Sequence, residues 1–275
     1  MNVGIIGNGE VAARRRAVAA VRGVRLRPVP VAGAGEALDG LDVVFVAGPT
    51  ADHYRLAEAA AKRGVHVFLD WPPATSVREC EAMGTLAEEA GVEVGVSRPL
   101  RFHPVFGEVP AAWRASLILL RRTYPPEAPA AWPRWLADAA DLCCALAQSH
   151  SVQRIDAEAA RVAAPWPSAV GVGLRFHNGA YAQVSLRHGG AAAPRGTLYA
   201  AGGGTEVEAA LEEAVASEGE ANAGEPPAFD PADALRASET AAFLRALREG
   251  RPAPVSILDG LHTLRLVERL MTRLR

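Results

Sequence analysis

The chain has 275 residues, 49% of them hydrophobic and 22% charged, with a formal net charge of −2. This length suits two modest domains, and the small charge gives no general electrostatic reason to bind nucleic acid or an anionic membrane. Three cysteines, with neither a disulfide framework nor a zinc-ligand spacing, favour a reducing compartment. No apolar run approaches the ~20 residues of a membrane helix, and the first residues lack a secretory signal. We therefore expect a soluble cytoplasmic protein without a bound metal.

The first third of the chain alternates apolar strands with helices. Strands are predicted at 3–6, 42–46, 65–69 and 92–96, and helices at 11–21, 51–63 and 76–90. This alternation is typical of a parallel sheet covered on both faces. Between residues 24 and 40 the prolines Pro28 and Pro30 and a glycine-rich stretch leave little more than an edge strand. We therefore predict a Rossmann-type domain over 1–97 whose sheet is trimmed on one side.

The pattern changes after Ser97. Strands of an antiparallel sheet are predicted at 115–120, 170–176, 181–186 and 197–200, and Asn178-Gly179 is a hairpin signal. A loop is predicted at 214–227, followed by a helix that ends at Gly250 and an amphipathic helix from Ser256. The expected second domain, 98–275, is an α+β domain with an open antiparallel sheet. Its last helix is a candidate to pack back on the first domain.

A glycine motif joins the first strand to the first helix, in the order Gly7-Asn8-Gly9-Glu10-Val11-Ala12. In a dinucleotide-binding fold Gly7 allows the tight turn, Gly9 lets a pyrophosphate approach the backbone, and Ala12 lets the helix pack closely. The helix amino terminus then offers free N–H groups to the anion. The alternative is a glycine-rich turn kept for packing after binding was lost.

The ribose end of the cofactor site lacks its usual acid. NAD-binding folds place an Asp or Glu about 20 residues after the glycines, but residues 29–35 contain none. Arg14, Arg15 and Arg16 are either a site for a 2′-phosphate or a solvated helix face. We expect NAD or NADP as the cofactor, with NADP favoured, or no cofactor at all.

Five segments carry a family resemblance. They are 42–53 (DVVFVAGPTADH), 63–72 (RGVHVFLDWP), 98–104 (RPLRFHP), 242–251 (AFLRALREGR) and 259–261 (DGL). In this order they resemble motifs of the Gfo/Idh/MocA family of oxidoreductases. The resemblance implies a Rossmann domain followed by an open-sheet domain, a nicotinamide cofactor, and oxidation or reduction of an alcohol or carbonyl, commonly on sugars and cyclitols. It also implies a small-molecule substrate and a homo-oligomer formed through the open sheet.

The chain departs from this family at both proton-handling positions. The resemblance implies a lysine where the sequence has Trp71 and a histidine where it has Asp138, while Asp141 matches the acid that follows that histidine. Lys62 is the only lysine in the chain. An indole ring neither gains nor loses a proton near neutral pH. Classical sugar dehydrogenation is therefore not expected.

The remaining candidates for proton transfer are Asp138, Asp70 and His103, each with a purely structural role as the alternative. Cofactor contacts are expected from the glycine motif and from Pro49, His53, Asp70 and Trp71. A substrate pocket is expected from Trp71, Arg98, Arg101, Trp135 and Asp141.

Two functions remain open. One is a divergent NAD(P)-dependent oxidoreductase that moves a hydride to or from a small organic substrate. The other is a non-catalytic nucleotide- or ligand-binding homologue that serves as a regulatory or partner subunit. Trp71 either stacks against a nicotinamide or flat substrate, or fills the space of an absent cofactor.

Overall fold

The computed structural model describes residues 1–7, 11–30, 37–110, 112–124, 131–161, 166–189, 195–211 and 231–274; at 11–13, 28 and 231–233 it describes the backbone only. The chain forms two compact units. The first comprises Met1–Pro99 and Asp233–Leu264, and the second comprises Leu100–Ala232 and Arg265–Arg275. The loop predicted at 214–227 lies outside the described residues.

Six helices are described. They are α1 Val11–Ala19, α2 Thr50–Ala61, α3 Val77–Ala90, α4 Trp132–Ala147, α5 Pro231–Arg248 and α6 Ile257–Arg273. The predicted cap of α3 is confirmed, because the Ser76 side chain accepts a hydrogen bond from the N–H of Glu79. Gly91 ends the helix in the left-handed conformation, with φ 63°, where glycine avoids the steric cost of a Cβ atom.

The sheet of the first unit is parallel. Its strands, β1 Asn2–Gly7, β2 Arg25–Pro28, β3 Val43–Ala47, β4 His66–Leu69 and β5 Val94–Val96, lie in the order β2-β1-β3-β4-β5. β3 is buried along its whole length, as its continuous apolar sequence predicts. Within the described residues no strand lies beyond β2, and residues 31–36 are outside them. The order in which successive strands are added to the sheet therefore reverses between β1 and β3, because β2 lies on one side of β1 and β3, β4 and β5 lie on the other.

Helix α5, which comes late in the chain, contributes to the core of the first unit. Phe243 packs against Phe45 and Phe68, with ring centroids 6.1 and 4.9 Å away. Leu244 and Val18 are buried in the same cluster. Residues more than 130 positions apart in sequence therefore share one core, a contact that the periodicity of α5 does not reveal.

The sheet of the second unit has six strands. These are β6 Leu117–Tyr124, β7 Val152–Ala160, β8 Ala169–Phe176, β9 Tyr181–His188, β10 Arg195–Gly202 and β11 Thr205–Ala210, in the order β11-β10-β6-β9-β8-β7. All neighbouring pairs are antiparallel except β6 and β9, which are parallel. The predicted antiparallel sheet is thus confirmed in its main character. β7 and β11 are strands that the sequence analysis missed.

One face of this second sheet is covered and the other is open. Helix α4 lies on the covered face, where Cys143, Cys144 and Leu136 are buried against strand residues such as Leu120 and Val184. On the other face of β6 and β9, exposed and partly exposed residues alternate with these core positions, among them the exposed Arg121 and Arg187. The predicted hairpin joins β8 to β9, with Gly179 at φ 88° as such a turn requires.

Candidate functional site

Two glycines form the floor of the candidate site at the carboxyl ends of β1 and β3. Gly7 has φ 142°, and a Cβ atom there would lie 2.1 Å from the carbonyl oxygen of Ala47. A Cβ atom on Gly48 would lie 3.6 Å from the Cα of Gly7. The edge where the chain reverses direction across the sheet, where open α/β folds bind ligands, therefore presents backbone rather than side chains.

The rest of the glycine motif is only partly described. Asn8, Gly9 and Glu10 lie outside the described residues, and Val11 and Ala12 form the first turn of α1 by their backbone. The predicted strand before the motif and the predicted helix after it are thus confirmed. A helix amino terminus at this place is suited to an anionic group because its first N–H groups have no partner within the helix.

His53 lies behind the Gly48 backbone. Pro49 precedes α2, and one turn later the buried His53 places its Nε2 atom 3.2 Å from the carbonyl oxygen of Gly48. Since a carbonyl can only accept, Nε2 is the protonated nitrogen. Burial lowers the pKa of His53, which keeps the ring neutral. His53 therefore fixes the backbone of the floor instead of exposing a charge.

Arg14 is the centre of a buried network below this edge. Its side chain is 2% exposed and pairs with Asp70, at 2.8 Å, and with Glu239, at 3.2 Å. It also donates to the hydroxyl groups of Ser97 and Thr240, each at 3.1 Å. The network joins α1, the end of β4, the end of β5 and α5. It therefore fixes Asp70, a predicted site residue, against the helix that follows the glycine motif.

The charges of this network support one another. Burial works against the charge of Arg14, but Glu239 and Asp70 outweigh it and raise the pKa of the guanidinium. Burial also raises the pKa of Glu239, against the opposing effect of Arg14. The guanidinium carbon lies 4.8 Å from the ring centroid of Phe68, so a π-face adds to the stabilisation of the cation.

This position of Arg14 corrects the sequence analysis. Arg15 and Arg16 are exposed, as a solvated helix face requires, but Arg14 is buried and its guanidinium is paired with two carboxylates. The spacing of Arg14 from apolar residues in α1 is the signal that the sequence analysis missed. Arg14 lies three and four residues before the buried Ala17 and Val18, and so occupies a core position of α1.

Glu239 was missed for a similar reason. It lies four residues after Leu235 and four before Phe243, both buried, on one face of α5. A carboxylate at a core position needs a buried partner. The partner, Arg14, is 225 residues away in the chain, so sequence spacing alone does not identify it.

Trp71 does not present two bare ring faces. The guanidinium carbon of Arg98 lies 3.2 Å from the centroid of the Trp71 ring, and the N–H of Arg98 donates to Glu239. Arg98 is buried, whereas Trp71 is partly exposed. The two expected pocket residues are therefore in contact, and one indole face is already occupied by a cation.

Arg101 and Asp141 form the main ionic contact among the expected pocket residues of the second unit. Arg101 donates from Nε and Nη2 to the two carboxylate oxygens of Asp141, at 2.8 and 2.7 Å. Asp141 is buried and this two-bond geometry is the strong form of such a pair. Asp138 lies one turn earlier on α4 and is half-buried. Asp141 therefore orients Arg101, and Asp138 is the more accessible acid of the helix.

The other expected residues of this unit have structural contacts. Trp135, partly buried, packs on the sheet core and has the guanidinium of Arg122 4.6 Å from its ring centroid. His103 accepts a hydrogen bond from the N–H of Val105 at the start of a 3-10 turn, and burial lowers its pKa. These contacts favour the structural alternative for His103.

A cavity of about 240 Å³ lies beside β2 and is lined by Arg15 on α1, Arg27 and Leu26 on β2, and Ile5 on β1. Two arginines here give positive charge to the side of the first unit where the ribose acid was missing. In the described part of the chain no group of His, Cys, Asp and Glu is arranged to hold a metal ion, and none of the described helices is long and apolar enough to cross a membrane.

Known proteins resemble the chain both in sequence and in fold. Residues 31–98 match the sequence profile of an oxidoreductase family with an NAD-binding Rossmann fold. A D-xylose 1-dehydrogenase (NADP(+)) from Haloferax volcanii is 38% identical over 81 residues, which cover 28% of this chain and 25% of that enzyme. The alignment thus spans about a quarter of the curated relative.

Solved structures share the fold over the whole chain. A scyllo-inositol dehydrogenase from Lactobacillus casei, with bound NAD(H) and scyllo-inositol, has a TM-score of 0.77 at 14% identity and covers 100% of this chain and 96% of its own. A UDP-N-acetylglucosamine 3-dehydrogenase from Acidithiobacillus ferrooxidans has a TM-score of 0.81 at 17% identity, with 100% and 97% covered. The chain is thus similar over residues 31–98 to an oxidoreductase family with an NAD-binding Rossmann fold, and over its whole length it is similar in fold to solved dehydrogenases.

Proposed function

We propose that this protein is an NAD(P)-dependent oxidoreductase with a non-standard active site, which moves a hydride to or from a carbon of a small organic substrate. The observation that carries the proposal is the bare backbone floor of Gly7 and Gly48 at the carboxyl edge of the first sheet. A dinucleotide needs such a floor to come close to the strand ends. The residues present therefore fit a nicotinamide dinucleotide.

The cofactor, when bound, supplies or accepts the hydride. The residues of the chain bind the cofactor and orient it. The amino terminus of α1 receives the pyrophosphate, His53 holds the Gly48 carbonyl in place, and Arg14 fixes Asp70 at the end of β4. Trp71, one residue further, is partly exposed and would offer the indole face opposite Arg98 to a flat ring.

NADP is the cofactor that the charges favour. Arg15 and Arg27 line a cavity next to the edge strand β2, and the sequence offers no acid at 29–35 to bind ribose hydroxyls. Arginine side chains at such a place accommodate a 2′-phosphate. The D-xylose 1-dehydrogenase of Haloferax volcanii is named as an NADP(+) enzyme, which is consistent with this preference.

Asp138 is the group that we assign to proton transfer. It stands at the position where the family resemblance implies a histidine, and it is half-buried one turn before Asp141. Asp141 is committed to Arg101 by two hydrogen bonds, and Asp70 is committed to Arg14. Asp138 is more exposed than Asp141 and stands at the histidine position, so it is the carboxylate that we place on the substrate.

The experiment that tests the function is a titration with NADPH and NADH, followed by energy transfer from tryptophan to the reduced nicotinamide. We expect micromolar binding of NADPH and weaker binding of NADH. Arg15→Gln should remove this preference, while Arg22→Gln, an exposed arginine outside the cavity, should leave it unchanged. If neither cofactor binds at millimolar concentration, the protein is not a nicotinamide-dependent enzyme.

The second candidate is a ligand-binding homologue without hydride chemistry. The contact between Arg98 and Trp71 favours it, because a cation covers the indole at the position where the resemblance implies a lysine. A protein of this kind would bind NADPH or NADP⁺, but it would give no change in nicotinamide absorbance with any member of a panel of polyols, sugars and their ketones. Such a change with any one member decides for the enzyme.

A further inference from the structure

Three arginines lie together on the open face of the second sheet. Arg121 is on β6, Arg187 on β9 and Arg195 on β10, and all three side chains are exposed. They line a cavity of about 550 Å³, which we call the arginine cavity. It is formed by residues of the second unit alone, so it is separate from the glycine floor of the first unit.

The strand register alternates these arginines with hydroxyl side chains. β6 lies between β9 and β10, and it pairs Arg121 with Ser185 on one side and Thr197 on the other. Two residues further along β6, Thr123 is paired with the two remaining arginines. Neighbouring strands are about 4.8 Å apart, so three guanidinium groups and three hydroxyl groups are within reach of one small molecule.

The side chains of the three arginines have no counter-charge in the described part of the chain, where none of these side chains makes a hydrogen bond or ion pair. Other arginines of the same sheet do have partners. Arg154 is paired with Asp156, and Arg175 lies over the ring of Tyr181. Like charges repel when they are held close together. An anion placed between the three arginines removes this repulsion.

The chemistry of the lining favours a phosphate group. Guanidinium groups bind phosphate oxygens through two parallel hydrogen bonds, and hydroxyl groups donate to oxygens that the arginines leave free. Donors come from three strands, which suits a tetrahedral group with several oxygens better than a planar carboxylate. The cavity volume also falls in the range of about 300–1,000 Å³ that is usual for small-molecule sites.

We propose that the arginine cavity binds a small molecule that carries a phosphate or pyrophosphate group. The residues that line it belong to the second unit alone, and the proposal does not depend on the nicotinamide site proposed above. Its ligand is an effector, or a phosphorylated molecule held by the second unit.

Isothermal titration of the full chain with inorganic pyrophosphate tests this proposal. We expect Arg121→Gln and Arg187→Gln each to weaken binding by about tenfold or more, as the loss of a charged hydrogen bond does. The matched control is Arg175→Gln. It removes the same charge from the same face, but Arg175 is paired with Tyr181, six residues or ~20 Å along β9 from Arg187. Its affinity for pyrophosphate should equal that of the unmodified protein.

Parallel titrations with orthophosphate and a nucleoside monophosphate identify the source of the phosphate group. Tighter binding of the ester indicates a phosphorylated metabolite, and equal binding indicates the inorganic ion. If Arg121→Gln and Arg187→Gln bind pyrophosphate as tightly as the unmodified protein, the proposal is wrong. It is also wrong if the unmodified protein does not bind pyrophosphate and these substitutions instead change the molecular mass measured by light scattering. The arginines would then contact a second copy of the chain.

Discussion

Arg14 and Asp70 lie 2.8 Å apart, although one is on the first helix and the other follows the fourth strand. The ion pair ties the helix after the glycine motif to the strand end where the cofactor and substrate residues are expected. Glu239 from α5 completes it from the far end of the sequence. The candidate site of the first unit thus rests on a buried charge network and not on apolar packing alone.

Replacement of Arg14 should destabilise the protein strongly. Arg14→Met leaves the carboxylate of Glu239 buried with its main counter-charge removed, and the loss of one partner of a buried pair costs about 3–5 kcal/mol. Chemical denaturation followed by circular dichroism measures this change. Arg15→Met, on the exposed face of the same helix, should change the free energy of unfolding by no more than about 0.5 kcal/mol. Equal effects of the two substitutions would contradict the central role of Arg14.

His53 should make stability depend on pH. Its pKa in the folded protein is lowered by burial below the ordinary value of 6.5, so the unfolded chain takes up the proton first as the pH falls. The free energy of unfolding should therefore decrease as the pH drops below 6.5 and be fully retained above it.

The test compares the loss of stability between about pH 7.5 and about pH 5.5 in variants of two histidines. His53→Asn should show a smaller loss than the unmodified protein. His177→Asn, an exposed residue of the hairpin turn, should keep the loss unchanged. An unchanged loss in His53→Asn would show that another group causes it.

A side chain at Gly48 should block the cofactor without unfolding the protein. The Cβ atom of Gly48→Val has room, since the nearest backbone atom is 3.6 Å away, but its methyl groups cover the floor beside Gly7. We expect at least a tenfold loss of NADPH affinity. Gly171→Val, in an open position of β8, is the control and should bind normally. Normal affinity in Gly48→Val would place the cofactor elsewhere.

Two acids on α4 should respond differently to the same change. Asp141→Asn removes the charge that Arg101 binds, and it should lower stability by about 3 kcal/mol. Asp138→Asn should lower kcat by about 10²–10⁴, the contribution of a general acid or base, and should lower stability less than Asp141→Asn does, because Asp138 is only half-buried. Denaturation curves and turnover with the substrate found by the panel measure the two effects. A normal kcat in Asp138→Asn would show that Asp138 does not transfer the proton, and Asp70 and His103 would remain as candidates.

Trp71→Lys should not restore an ordinary active site. It places an ammonium group beside the guanidinium of Arg98 and removes the ring on which that guanidinium lies. The lost cation–π contact alone is worth about 0.5–2 kcal/mol. Trp71→Phe keeps an aromatic face and should retain most of the stability. If Trp71→Lys is as stable as the unmodified protein, the contact with Arg98 contributes little.

Most of the strands of both sheets, and the ends of helix α3, were predictable from local pattern. Continuous apolar runs such as Val43–Ala47 form central parallel strands because both faces of the sheet are covered. Ser76 and Gly91 bound α3 because the groups at a helix end need partners close in sequence. The same holds for the hairpin at Asn178-Gly179. β7 and β11 were missed because their exposed charged residues weaken the apolar signal of an edge strand.

The sequence by itself determined the fold class and the resemblance to the Gfo/Idh/MocA family, with Trp71 and Asp138 at the positions where that resemblance implies a lysine and a histidine, because each depends on which residues stand in short contiguous motifs. Only the tertiary structure decided which charged side chains pair in the core and which form a cluster. Arg14 was one of three consecutive arginines, and it is the buried one because Glu239, 225 residues away, meets it in the core. Arg121, Arg187 and Arg195 become one cluster only through the register of three strands. Such contacts depend on distances between segments far apart in the chain, which local pattern does not encode.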